Sequence, residues 1–476
     1  MSRSVADDPQ TQVASPADLR MSLRDWGLLF VVCGALFLEG IDIAMLNVAV
    51  PSIRADLGIS TGAAHWVVSA YVLGYGGFML LGGRTADLYG RRRVFLVALA
   101  VFVAFSGIGG LAGASEVLVV ARFATGVAAG FMTPAGLSII TTSFPEGALR
   151  DRAVVVYGAI GAAGFTLGLV AGGLLTSVSW RWVFFAPVII GALLLVAGRA
   201  LIRPDAPREQ GSTGFDLGGA VTVTGAMIAT VLALVLLGEG GNIAAGLLAL
   251  VAAVGLLAVF VAIERRSAAP LVRLSILRQG LLSASSIAGL LFMAAFFGFQ
   301  FLVTLHLQDL RGWSPLETGL TFAVMGIDLI LAPLITPRLV RRFGNATVMV
   351  LGLVSAAVGY GLFLRLGQDW NYFDMLPSLL LIGIAFALAY GPLTLAATEG
   401  VDENEHGLAA GVLYTAFQFG AALGLAIVTI VLAGEEIVPL HAYRVGLVAP
   451  TVLAIAAAVT VAAAVTARRR RVPAQR

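Results

Sequence analysis

The chain has 476 residues, of which 59% are hydrophobic and only 12% are charged, and its formal net charge is +3. This composition excludes an ordinary soluble protein, because such a protein needs far more polar surface at this length. The positive charge does not indicate nucleic-acid binding, because the arginines lie in short segments between apolar runs, where they direct membrane insertion. The single cysteine, Cys33, excludes an intramolecular disulfide.

Fourteen apolar runs of about 20 residues follow one another along the chain, and each is long enough to cross a bilayer as a helix. In chain order, spans 1 to 14 are predicted at residues 26–50, 62–81, 94–114, 117–140, 153–177, 182–202, 216–237, 243–263, 281–305, 317–336, 346–366, 375–398, 408–432 and 446–467. The short gaps after spans 3, 5 and 7 leave thirteen or fifteen spans as alternatives.

The arginines predict the orientation of the chain. With the N-terminus in the cytosol, 24 of the 30 basic residues, all of them arginines, fall in cytosolic segments. Cytosolic loops carry the excess of positive charge in membrane proteins, so we predict that both termini are cytosolic. Omitting one span would move every later loop to the other side and destroy this asymmetry.

The loops divide the chain into two six-span halves with an inserted pair. We predict a tail at 1–25, an N-terminal half at 26–202, a linker with two inserted spans at 203–280, a C-terminal half at 281–467 and a basic tail at 468–476. Spans 7 and 8 contain almost no polar side chains at mid-membrane depth, which is typical of helices that face lipid. The sequences GGRTADLYGRRR (82–93) and TPRLVRRFG (336–344) form a weak internal repeat between the halves.

Two acids and one arginine inside the predicted spans indicate a proton site. Ionisable side chains are costly in a bilayer and mark substrate or proton pathways. Asp42 lies roughly 12 Å below the outer end of span 1 and Arg122 roughly 9 Å below that of span 4, so the two can pair. Glu39 lies one turn deeper on nearly the same face as Asp42.

Our hypothesis is that Asp42 exchanges protons and that Arg122 tunes it, while Glu39 shares the proton or meets a cationic substrate. Loss of hydration favours a neutral carboxyl, whereas a nearby guanidinium favours the charged form. Two alternatives remain open at this point. The first alternative is that one of the two acids is held only in a structural ion pair. The second is that Arg122 extends to the outer interface.

Polar groups in the second half suggest where a substrate binds. Asp328 lies roughly 18 Å from the outer end of span 10, near the midplane and in the half opposite Asp42. Phe292, Phe296, Phe297 and Phe299 crowd span 9 beside Gln300, which suits an apolar cavity with few polar groups, although the same stripe also suits packing or lipid contact. The predicted substrate-binding residues are Asp328, Glu39, Gln300 and Gln418.

Four motifs carry a resemblance to a known family. They are DIAMLNVAVP in span 1 (42–51), GRTADLYGRR after span 2 (83–92), RFATGVAAG in span 4 (122–130) and GAAGFTLGLVAGG in span 5 (161–173). In these motifs the chain resembles the major facilitator superfamily and, more narrowly, its fourteen-span drug:proton antiporters of the EmrB/QacA type. The resemblance covers residues 26–467. Leu169 stands where the family has a proline, which weakens the inference of antiport.

The resemblance implies roles for the loop and for the glycines. In the loop, one glycine admits a neighbouring helix, another permits the tight turn, and the acid helps to latch the halves against span 13. The predicted latch residues are Gly83, Asp87, Gly90, Arg91 and Arg92. The predicted helix-packing residues are Gly126, Gly130, Gly164, Gly168, Gly172 and Gly173, and for span 5 both simple packing and an antiport-specific role remain open.

We therefore predict an all-α integral membrane protein with the major facilitator fold, two six-helix halves plus two inserted helices. The expected function is proton-coupled export of amphipathic, preferably cationic drugs or toxic compounds by alternating access. Export of an endogenous metabolite or lipid, and uptake by proton symport, are the alternatives. An enzyme is disfavoured because the four histidines are scattered, and a receptor because no loop is long enough for a soluble domain.

The expected partners follow from this function. They are a small amphipathic substrate, protons and the lipid bilayer, with no nucleic acid, metal or cofactor. ATP drive is disfavoured, because a Walker-type phosphate loop needs a lysine and the chain has none. The proton gradient is the expected energy source, and the expected form is a monomer in the bacterial inner membrane.

Overall fold

The structure is a computed structural model that describes residues 21–144, 148–205, 216–238, 243–267, 270–367, 369–401, 405–432 and 440–471. Within these ranges every regular element is helical. Fourteen helical segments are long and apolar enough to cross a membrane, which confirms the predicted number of spans. Most of the predicted N-terminal tail, and most of the loop between spans 6 and 7, lie outside the described residues.

The spans keep their numbers from the sequence. Spans 1 to 8 are the helices Leu23–Leu57, Thr61–Tyr89, Arg91–Gly110, Ser115–Ser143, Ala148–Val178, Trp182–Leu201, Leu217–Gly238 and Ile243–Arg266. A short 3-10 helix, Leu274–Arg278, precedes span 9. Span 9 is Leu282–Leu305 continued by the π-helical turn His306–Leu310, and spans 11 to 13 are Asn345–Phe363, Tyr372–Thr398 and His406–Leu432.

Spans 10 and 14 are interrupted, whereas the sequence predicted continuous helices. Span 10 consists of Pro315–Ala323, the 3-10 segment Val324–Ile327 and Asp328–Leu334, and the helix Thr336–Phe343 follows it. Span 14 consists of Leu440–Gly446 and Val448–Arg471. Pro450 explains the second break, because it has no N–H to donate to the carbonyl of Gly446 four residues earlier.

Span 1 is longer than predicted. Ser22 and Asp25 form a capping box at its start, and the helix continues through Pro51 until Gly58 ends it with a left-handed φ of 63°. The predicted end at residue 50 was wrong, because a proline near the last turns removes one hydrogen bond without ending the helix. The extension carries Arg54 beyond the apolar part of the span.

The two halves have the same packing pattern. Span 1 packs on spans 5 and 6, span 2 on span 4, and span 3 on spans 4 and 6. Span 9 packs on spans 13 and 14, span 10 on span 12, and span 11 on spans 12 and 14. Adding eight to each span number converts the first set into the second. The principal contacts between the halves, spans 2 with 13 and 5 with 10, are exchanged by the same rule, as expected for two related repeats.

The inserted pair lies over the seam between the halves. Span 7 packs on spans 2 and 13, and span 8 packs on span 7. Thr224 of span 7 is buried and fits against Gly77 of span 2, where a Cβ would collide with it. Span 8 is largely exposed, whereas the face of span 7 that carries Thr224 is buried, so the expectation of lipid-facing helices was wrong for that face.

Glycines bring the spans of the N-terminal half into backbone contact. A Cβ on Gly164 would lie 2.6 Å from the carbonyl oxygen of Phe37, and a Cβ on Gly172 would lie 2.6 Å from the Cα of Met45. Gly168 faces Ile41 of span 1 in the same way. Three of the four predicted span 5 glycines therefore face span 1, the helix that carries both acids of the predicted proton site.

Candidate transport site

We call the end of the bundle that carries residues 58–60 the outer end, and the opposite end the inner end. Asp42 and Arg122 meet inside the N-terminal half. Nη1 of Arg122 donates a 2.6 Å hydrogen bond to Oδ2 of Asp42, and the two side chains are only 2% and 1% exposed, respectively. The guanidinium lies 4.4 Å from the ring centroid of Tyr71. The structure thus brings together the pair that helix depth predicted, and the buried arginine does not reach the interface.

The site has two levels. The first is the Asp42–Arg122 pair, and the second is Glu39, which lies one helical turn deeper in span 1. Its Oε2 accepts hydrogen bonds from the hydroxyls of Thr133 at 2.5 Å and Tyr75 at 2.9 Å, and these hydroxyls lie 2.7 Å apart. The side chain is buried, and its Oε1 has no hydrogen-bond partner among the described residues. Glu39 is therefore held by spans 2 and 4 through neutral hydroxyls, whereas Asp42 is held by a cation.

Close approach of spans 2 and 4 builds both levels. Gly126 packs on the carbonyl of Tyr71, and a Cβ on Gly130 would lie 2.8 Å from the carbonyl oxygen of Tyr75. The two tyrosines, one turn apart, are in edge contact with their ring centroids 5.9 Å apart. The small residues of the span 4 motif thus let span 2 reach the acids of span 1.

Sequence reasoning missed Tyr75 and Thr133. Both carry a signal that is visible in retrospect. Tyr75 follows Tyr71, which packs on Gly126 of the span 4 motif, by four residues. Thr133 follows Gly130 of that motif by three residues, so both lie on the helix faces that the motif brings together.

Asp328 lies apart from the two levels. It begins the last helical piece of span 10 and is half-buried. Span 10 packs between spans 5 and 12, and Gly326, just before the acid, faces Thr166 of span 5. The structure does not join Asp328 to Glu39 or Asp42 by a hydrogen bond within the described residues.

Gln300 and Gln418 lie where the halves meet. Gln300 is 0% exposed, and its Oε1 accepts a 3.1 Å hydrogen bond from Nδ2 of Asn47 in span 1. Gln418 packs against Gly76 of span 2. A Cβ added to Gly76 would lie 2.7 Å from the Cβ of Gln418. In this conformation Gln300 is part of a contact between the halves, and its predicted role in substrate binding stays a prediction.

Two further contacts extend the junction of spans 1 and 9 to the outer rim. Nε2 of Gln308 donates a 2.9 Å hydrogen bond to the carbonyl of Val48. Arg54 and Asp309 form a 2.5 Å ion pair at the surface. Together with Asn47 and Gln300, they close the outer end of the bundle in this conformation.

The loop between spans 2 and 3 contacts the end of span 6 and Asp205, which follows that span. Gly90 has a φ of 96°, which supports its predicted role in the turn. The backbone N–H groups of Arg92 and Arg93 donate to the carboxylate of Asp205 at 3.0 and 3.2 Å. Nη2 of Arg92 donates to the carbonyl of Arg199 at 2.7 Å.

The predicted latch is therefore only partly visible. The side chain of Asp87 lies outside the described part of the chain. The close backbone approach to span 4 occurs at Gly82, whereas a Cβ on Gly83 would make an ordinary 3.6 Å contact with Pro134, so the predicted position was wrong by one residue. Gly173 makes a close contact between the halves, with Pro315 and Leu316 of span 10.

Aromatic side chains run through the C-terminal half. The ring of Phe386 lies 4.8 Å from that of Phe292 and 4.5 Å from that of Phe296. Phe165 of span 5 extends the stripe into the other half, 5.7 Å from Phe296. The span 9 phenylalanines are nearly fully buried. Phe296 and Phe297 contact Phe165 across the junction, whereas Phe299 packs on Tyr360 and Phe363 within the C-terminal half.

Residues 32–425 match the family described as the Major Facilitator Superfamily. The chain belongs to the major facilitator superfamily. The chain is 35% identical to the puromycin resistance protein pur8 of Streptomyces alboniger, over 86% of this chain and 82% of that protein. It is 34% identical to the lincomycin resistance protein of Streptomyces lincolnensis, over 84% and 83% of the two chains.

Solved structures show the same major facilitator fold. A D-xylose-proton symporter matches with a TM-score of 0.66 and 17% identity, over 92% of this chain and 97% of that one. The POT family transporter PepTSo matches with a TM-score of 0.66 and 14% identity, over 92% of this chain and 98% of that one. The family membership makes this protein a membrane transporter and not an enzyme.

Proposed function

We propose that this transporter exports amphipathic, preferably cationic compounds from the bacterial cytosol in exchange for protons. The buried Asp42–Arg122 pair, with the half-satisfied carboxyl of Glu39 one turn away, is the observation that carries the proposal. The resistance proteins to which the chain is similar support export of small molecules. Both termini then lie in the cytosol, the protein acts as a monomer, and the proton gradient is its energy source.

The ion pair has the right energetic scale for coupling. Removing one partner of a buried pair costs about 3–5 kcal/mol, because the other charge stays buried. Moving a two-state equilibrium from 1:99 to 99:1 takes about 5.5 kcal/mol. A single protonation of Asp42, which neutralises the carboxylate facing Arg122, is therefore comparable to the energy that separates the inward- and outward-facing states.

Glu39 has the geometry of a proton acceptor or a cation contact. As a carboxylate it leaves Oε1 buried without a described partner, which is costly for a charged acceptor. A proton or a substrate cation relieves that cost. Export is favoured over symport because several of the relatives are named for resistance or export, among them the cephamycin export protein CmcT of Amycolatopsis lactamdurans at 35% identity.

Transport in proteoliposomes under an imposed pH gradient tests the proposal. A panel of cationic, neutral and anionic compounds identifies the substrate class. Asp42→Asn should abolish gradient-driven accumulation while the protein still inserts and folds. Asp56→Asn is the matched control, because it loses an ion pair with Arg181 that is partly exposed. Full gradient-driven transport by Asp42→Asn would refute the assignment.

A further inference from the structure

Thr133 lies at a branch point of hydrogen bonds in span 4. Its hydroxyl is 2.5 Å from Oε2 of Glu39, 2.7 Å from the hydroxyl of Tyr75 and 3.1 Å from the carbonyl of Ala129, one turn earlier in its own helix. A threonine hydroxyl has one proton to donate. Thr133 must therefore choose between the acid of span 1 and the backbone of span 4.

The protonation state of Glu39 decides that choice. When Glu39 is a carboxylate, Oε2 accepts from both Thr133 and Tyr75. When a hydronium ion transfers a proton to Oε2 and leaves as water, Oε2 becomes a donor, and the nearest acceptor is the oxygen of Thr133. The Thr133 proton then turns to the carbonyl of Ala129. The covalent changes are the O–H bond broken in hydronium and the O–H bond formed on Glu39.

The helix of span 4 lacks one backbone hydrogen bond next to Thr133. Pro134 follows Thr133 inside the helix and has no N–H to offer the carbonyl of Gly130. Span 2 packs closely on that carbonyl at Gly82, where a Cβ would collide. A threonine hydroxyl bonded to the carbonyl four residues earlier bends a helix, so the switch acts where span 4 already lacks a hydrogen bond.

A further contact links the bend to span 5. The hydroxyl of Tyr157 donates a 3.1 Å hydrogen bond to the carbonyl of Thr133. Movement of Thr133 relative to Pro134 is thereby transmitted to span 5, which packs on span 10 of the other half.

We propose that Thr133 is a positioning residue that transmits the protonation of Glu39 to the Pro134 bend of span 4. The inference rests on the proposed function, because it requires Glu39 to take up and release a proton. In this inference Thr133 takes up no additional proton and only redirects its own hydroxyl proton. The residue converts the charge on span 1 into a change in helix geometry.

Spin-label distances in the full-length protein test the inference. Labels at Val97→Cys on span 3 and Thr142→Cys on span 4, in a Cys33→Ser background, report the position of the inner end of span 4. A change of about 20° at Pro134 moves residue 142 by about 4 Å, from the rise of 1.5 Å per residue. We expect a shift of this size between acidic and alkaline pH, and a matching pH dependence of transport.

The variants separate the role of the hydroxyl from simple packing. Thr133→Val should remove the pH-dependent shift and flatten the pH profile of transport, and Thr133→Ser should keep both. Thr125→Val is the matched control, because this buried threonine of the same helix donates to Ala121, also four residues earlier. Its shift and profile should remain those of the parent.

Two results distinguish failure of the inference from failure of the proposed function. A pH-dependent shift that persists in Thr133→Val but disappears in Glu39→Gln would overturn the role of Thr133 alone. A shift and transport that persist in Glu39→Gln would overturn the proton role of Glu39. Should Thr133→Val not fold, Thr133→Ala removes the same hydroxyl, and an unchanged shift and pH profile in that variant overturns the inference.

Discussion

Nδ2 of Asn47 donates a 3.1 Å hydrogen bond to Oε1 of Gln300, and both side chains are wholly buried where the two halves meet. The same amide group also reaches the carbonyl of Ile43 at 3.3 Å. The remaining polar atoms, Oδ1 of Asn47 and Nε2 of Gln300, have no partner among the residues described. The bridge is therefore only partly satisfied, which suits a contact that must open in each cycle.

The first prediction is that breaking this bridge opens the outer end. Gln300→Leu removes the bond and leaves Asn47 buried, which destabilises the closed state by about 1–3 kcal/mol. A membrane-impermeant thiol reagent should then label Thr304→Cys, one turn outward on span 9, at least about fivefold faster. Asn345→Leu, which loses a bond to Pro392 within the C-terminal half, should leave the rate unchanged. An unchanged rate in Gln300→Leu would show that the amide bridge does not hold the gate.

The second prediction concerns the cost of the buried ion pair. Arg122→Met leaves Asp42 without its cation and should cost about 3–5 kcal/mol, seen as a lower unfolding midpoint of the purified protein. The double variant Asp42→Asn with Arg122→Met should recover most of that stability without recovering proton-driven transport. A midpoint for Arg122→Met equal to that of the parent would argue against a charged Asp42 in this state.

The third prediction tests the glycines of span 5. Gly168→Leu and Gly172→Leu place side chains against the backbone of span 1 and should destabilise the protein by at least about 1–3 kcal/mol. Gly158→Leu is the matched control on the same helix, because a Cβ there meets no atom within 4 Å. Thermal unfolding of the three purified variants decides the matter, and equal midpoints would remove the packing role.

The fourth prediction tests whether Asp328 attracts cationic substrates or has only a structural role. A half-buried carboxylate favours a cation at contact distance by about 1 kcal/mol or more. Asp328→Asn should therefore raise the apparent KM for cationic substrates about fivefold and leave neutral substrates unaffected. Equal changes for both classes would mean that Asp328 is structural and does not recognise substrate charge.

Hydropathy and charge predicted the spans because the bilayer imposes a length and a polarity that the sequence displays directly. Depth along straight helices also paired Asp42 with Arg122. The partners of Glu39 were missed because depth gives no information on how neighbouring helices are rotated. The pairing of Gln300 with Asn47 was not predicted, because it joins spans 9 and 1 of different halves. The 3-10 segment before Asp328 was not predicted either, and its Met325 carbonyl lies close to Gly383 of span 12. Such contacts are tertiary and leave no periodic signal in the chain.

Substrate-induced proton release from the purified transporter in weak buffer tests the central claim most directly. If the acids of span 1 exchange protons against substrate, saturating substrate should release protons from the parent protein. Glu39→Gln and Asp42→Asn should each release fewer, although the substrate still binds. Proton release that is equal in the parent and in both variants would contradict the account.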